Sequence, residues 1–180
     1  MSEKYCKGFH YTNPHAYRSM ETGRMYGHRA LLPIRRFVSF GGGRDLPEEA
    51  YQGTVQCLLE PEPSSWIDNP EFPVTWEYFM NDVLLKDDQV MLLCFDISPS
   101  DTAYVVDRAY IERLLYQQEM DVDKEATHKA TRKYWESRIP IFDYRDEHTL
   151  PQLIIWNPIE FSRLHVEWKK PSKSFWQNIS

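Results

Sequence analysis

The sequence predicts a single α+β domain, a central mixed sheet flanked by helices. Three observations carry that expectation. The run "QVMLLCFDI" (89–97) is almost entirely apolar and reads as a central strand buried on both faces. Apolar or alternating runs bounded by turn residues recur near both ends of the chain. Helical spacings fall among them without the regular βαβ alternation of a Rossmann chain. A length of 180 residues fits one domain, and that length buries a core without disulfide staples.

Taken in order, Gly8–Thr12 is the first predicted strand. Asn13 follows as an N-cap, Pro14 as a first helical residue and Gly23 as a stop, which predicts a helix over 14–22. "RRFVSF" (35–40) reads as a strand and "GGGRDLPEE" as a loop. Helical signals return at "AYQGTVQCLLEP" (50–61), and "PEPSSWIDNPEFP" is rich in turn residues. "VTWEYFMNDVLL" (74–85) spaces its apolar residues for one helical face. After the central strand come a second strand, "TAYVVDR", and the helices "AYIERLLYQQEM" and "KEATHKATRKYWESR", the latter polar and expected to be solvated. "LPQLIIWNPI" and "RLHVEW" close the chain as strands joined through a proline turn. Gly8–Thr12, Arg36–Phe40, Met91–Ile97 and Leu153–Trp156 are expected to be neighbours in the central sheet.

Composition excludes several classes. Apolar residues make up 42% and aromatics 14% of the chain, too much for a disordered protein. The net charge of −6 lacks the footprint of a general nucleic-acid binder, although Arg24, His28, Arg29, Arg35, Arg36 and Arg44 crowd together locally. Cys6, Cys57 and Cys94 are odd in number and form no CxxC pair, so neither a disulfide framework nor a zinc ribbon is expected. His10, His15 and His28 lack a carboxylate or cysteine at ligand spacing, which argues against a metal site. "GGG" is not GxGxxG, and no GxSxG is present. No signal-peptide core and no eighteen-residue apolar run occur. The expectation is a cytoplasmic protein with no membrane partner.

The chemistry centres on "GFHYTN". A strand that carries His10 and Thr12 and breaks at once into a helix puts an imidazole and a hydroxyl at a sheet edge, where both can bond a ribose. A histidine satisfied within the fold explains the same residues. "FHYTNPHAYRSMETG" resembles the opening of ADP-ribosyltransferase-fold proteins of the His-Tyr-Glu type, including toxins that modify DNA. "HTLPQLIIWNPIEFSRLHVEW" is similar to their closing strands.

That resemblance implies a split sheet, NAD as co-substrate and transfer of ADP-ribose to an acceptor, protein or nucleic acid. It assigns His10 to a ribose hydroxyl, with Thr12 in support. Arg35 or Arg36 is assigned to the pyrophosphate, and Tyr26 or Tyr51 stacks on nicotinamide. The catalytic acid's place is held by Gln152. An amide offers a dipole where a carboxylate would offer a charge to an oxocarbenium-like transition state, so weakened catalysis with retained binding is expected. The alternative is a non-enzymatic interaction protein that uses an acidic, Trp-rich surface. Its tail pair Phe175-Trp176 needs something to dock on.

Overall fold

The computed structural model of the chain describes residues 5–22, 30–31, 49, 52–84, 87–116 and 124–176. β1 (Lys7–Thr12) leads into α1 (Pro14–Thr22), followed by β2 (Ala30–Leu31) and β3 (Val55–Cys57). α2 (Ser64–Ile67) and α3 (Thr75–Leu84) precede β4 (Gln89–Asp96) and β5 (Ala103–Asp107). Then come α4 (Ala109–Tyr116), α5 (Lys124–Glu136), β6 (Ile139–Pro140), β7 (Pro151–Ile155), β8 (Ile159–Glu160), β9 (His165–Pro171) and α6 (Lys173–Trp176).

Local chemistry sets the element ends. Asn13 Oδ1 accepts the Ala16 N–H at 2.9 Å, satisfying one orphan donor of α1, while Pro14 takes the first helical position, where no N–H is needed. Asp107 does similar work for α4. Its Oδ1 accepts the N–H groups of Ala109 and Leu150, and its Oδ2 accepts that of Thr149. One carboxylate thus caps a helix and anchors the chain entering β7.

Among the described residues the strands pair antiparallel, in a three-stranded sheet β1-β4-β9, a four-stranded sheet β3-β7-β5-β6 and the short pair β2-β8. The two larger sheets face each other. Met91, Leu93 and Phe95 of β4 meet Val105 of β5 and Leu153 and Ile155 of β7 in one buried cluster. Each such side chain, fully buried, contributes about 1.5–3 kcal/mol. The opposite face of β4 carries Val90 and Leu92 into a second cluster with Tyr11, Trp66 and Met80. Behind the four-stranded sheet, Val106 and Ile154 pack with Ile111 of α4 and Tyr134 of α5. The alternation of strand side chains therefore builds helices, sheet, sheet, helices.

Gly8 marks how closely the sheets approach. A Cβ there would lie 2.5 Å from Phe95 Cζ and 3.0 Å from Leu153 Cδ2, so only glycine fits without displacing core side chains.

Three expectations need correction. Residues 50–61 do not form a helix where described: Val55–Cys57 is a strand, paired through Val55↔Ile155, Gln56↔Ile154 and Cys57↔Leu153. Pairing with β7 overrides local helix propensity there. The split central sheet is antiparallel rather than mixed among the described residues, and Met91–Ile97 and Leu153–Trp156 fall in its two halves, facing across the core instead of pairing side by side. Nor are the closing strands joined by a proline turn alone. β7 and β9 belong to different sheets, with β8 and a 3₁₀ turn, Phe161–Arg163, between them. Gly8–Thr12 does neighbour the central strand, and Arg36–Phe40 lies outside the described residues.

Among the described residues β9 is an edge strand, exposed along most of its length, with Val166 43% accessible. Its pairing with β4 slips at a bulge between Leu92 and Leu93. Phe175, from the following α6, packs on Trp168 with ring centroids 5.6 Å apart. That contact supplies the docking partner the tail phenylalanine needs.

Candidate functional site at the fork between the sheets

The two large sheets touch at one bridge. Phe9 N–H donates to Leu58 O at 3.0 Å, and Leu58 N–H donates to Phe9 O at 2.8 Å. An antiparallel ladder would continue with Tyr11 opposite Gln56. It does not. The Gln56 carbonyl instead lies 2.9 Å from Nδ1 of His10. β1 and β3 diverge at this point, and the imidazole spans the fork.

The bond fixes the ring. A carbonyl only accepts, so Nδ1 carries the hydrogen and donates, which leaves Nε2 as an acceptor. Burial pushes the imidazole below its usual value, against a smaller opposite pull from the Gln56 carbonyl. His10 is therefore neutral near pH 7. Among the described residues nothing bonds its Nε2, and the side chain is half-buried. Thr12, two residues on along β1, shares the face of His10 and is buried. Tyr11 points the other way. Its hydroxyl donates to Pro61 O at 2.7 Å, and its ring meets Trp76, Phe79 and Trp168 edge-on.

Gln152 sits elsewhere. Its neighbours Leu153 and Ile155 fill the space between the sheets, with Ile154 on the reverse face, so Gln152 also points back toward α5. There its Oε1 accepts the Tyr134 hydroxyl at 2.8 Å, and both side chains are buried. A carboxylate in that place would be costly to desolvate, whereas a bonded amide is not. The structure does not bring Gln152 and His10 into one cleft, which removes Gln152 from the catalytic position expected for it. Arg35, Arg36, Tyr26 and Tyr51 lie outside the described residues.

Two parts of this arrangement were hidden in the sequence. The Gln56 group is a backbone carbonyl and leaves no residue signature. Tyr134 does leave one. Thr131, Tyr134 and Trp135 are buried at i, i+3 and i+4 of α5, a packed face within a helix expected to be solvated. Lys129, Arg132, Lys133 and Glu136 on its other side are exposed.

No family model matches the chain, and neither a curated protein nor a solved structure matches it. Among the described residues, no group of three His, Cys, Asp or Glu side chains converges as a metal site. No helix among them is long and apolar enough to cross a membrane.

Proposed function

We propose that the chain is an ADP-ribosyltransferase-like protein that holds a nicotinamide or ADP-ribose nucleotide at the fork between its sheets without efficient turnover. The observation that carries this reading is the oriented, neutral His10, whose Nε2 is left as the acceptor a ribose hydroxyl would need. A hydroxyl donor pairs with such a nitrogen at ordinary pH, and no imidazolium has to be deprotonated first.

A transferase of this type needs charge facing the sugar carbon; Gln152, bonded to Tyr134 in a closed layer, supplies none at the fork, and the reading commits to binding. The acceptor for ADP-ribose, protein or nucleic acid, belongs to this proposal only if turnover is observed.

Calorimetric titration with NAD and with ADP-ribose tests it. Saturable binding is expected, weakened by about tenfold in His10→Ala, the loss of roughly one hydrogen bond's worth of affinity. His10→Gln, which keeps an acceptor, should retain part of it. Equal affinity in wild type and His10→Ala, or no heat with either ligand, would defeat the proposal.

A further inference from the structure

Among the partly buried arginines, Arg138 stands apart. Arg108 pairs with Glu112, Arg113 with Glu71 and Arg163 with Asp101. Arg138, unlike the half-buried Arg108 and Arg163, has no carboxylate within ion-pair distance among the described residues, and its Nε is buried without any hydrogen-bond partner. The guanidinium carbon lies 3.4 Å from the centroid of the Trp135 ring and 5.8 Å from that of Tyr104. Trp156 stands edge-on to both rings, at 5.9 Å and 5.5 Å. Glu49 is the nearby acid, and its attraction is outweighed by burial, which pulls the Arg138 pKa down.

The aromatic faces and the C-terminal end of α5 stabilise the positive charge. They do nothing for the N–H donors. A stacked guanidinium keeps its donors in its own plane, and with Nε enclosed the two terminal nitrogens are the donors left to a ligand. A planar guanidinium fork matches the paired oxygens of a phosphate bidentately.

We propose that Arg138, stacked on Trp135, is a binding site for a phosphate group. It lies on the α5 side of the four-stranded sheet, where Tyr104 and Gln152 also point, whereas His10 lies at the fork with β1. The two sites therefore stand or fall separately.

Inorganic pyrophosphate is the first probe, because Trp135 reports its arrival by fluorescence. Saturable quenching is expected in the wild type, weakened about tenfold or more in Arg138→Gln and unchanged in His10→Ala. ADP binding more tightly than pyrophosphate would identify a free nucleotide as the source, and a thymidine oligomer binding more tightly than both would identify a nucleic-acid backbone. If Arg138→Gln does not fold, the wild type still decides. No quenching and no rise in melting temperature at millimolar pyrophosphate would overturn the proposal, as would equal affinity in a folded Arg138→Gln.

Discussion

The Tyr134 hydroxyl donates to Oε1 of Gln152 at 2.8 Å, and this bond joins α5 to β7 inside a layer closed to water. Tyr134→Phe keeps the ring and removes only the donor. It leaves a buried amide oxygen unpaired, and urea unfolding should show a loss of about 1–3 kcal/mol. A loss under a few tenths would mean that water reaches Gln152.

Gln152→Glu tests the same layer by titration. The buried carboxyl should have its pKa raised by desolvation, so the folded state holds a proton that the unfolded chain releases near pH 4.3. Stability of the variant relative to wild type should be nearly unchanged below that pH. It should then fall by about 1.4 kcal/mol per pH unit until the folded pKa is passed. A variant as stable as wild type at pH 8 would place position 152 in water instead.

Gly8→Ala adds one methyl where the sheets close. With Phe95 Cζ 2.5 Å away from its position, overpacking should cost about 1–3 kcal/mol in chemical denaturation. A neutral or stabilising effect would show that Phe95 moves aside without cost.

The cysteines should divide by reactivity. Cys6 is exposed and Cys57 and Cys94 are buried. Burial pushes the Cys94 thiol up to about 11, helped by its bond to the Glu167 carboxylate, and pushes Cys57 higher still. Ellman's reagent at pH 8 should titrate one fast thiol in the native chain and the other two only after unfolding. Three fast thiols would contradict the packing of both β3 and β4.

Much of this fold was legible because long apolar runs read the same in any partner arrangement. β4, β5 and β7 declared themselves that way, and Asn13-Pro14 announced α1. β3 did not, since three residues between a glycine and a proline carry too little pattern, and its identity depends on β7 alongside. The split into two sheets was equally silent in local sequence. Gly8 only leaves the room that Phe95 and Leu153 fill between them. At the site, His10 could be named from its setting in the strand. The face on which Gln152 sits depends on a parity that Leu153 and Ile155 settle only once the opposing sheet is known.

The open flank of β9 bears on how the protein behaves in crowded solution. Seven residues of strand whose outer edge has no partner among the described residues are a template on which another chain can grow a ladder. Here the register slip twists the strand, Lys169 and Lys170 set charge along it, and Pro171 withholds a donor at its end. These features act as gatekeepers. Replacing both lysines with valine should leave the melting temperature nearly unchanged and bring light scattering on at lower protein concentration. If that variant stays monodisperse, the bulge alone guards the edge.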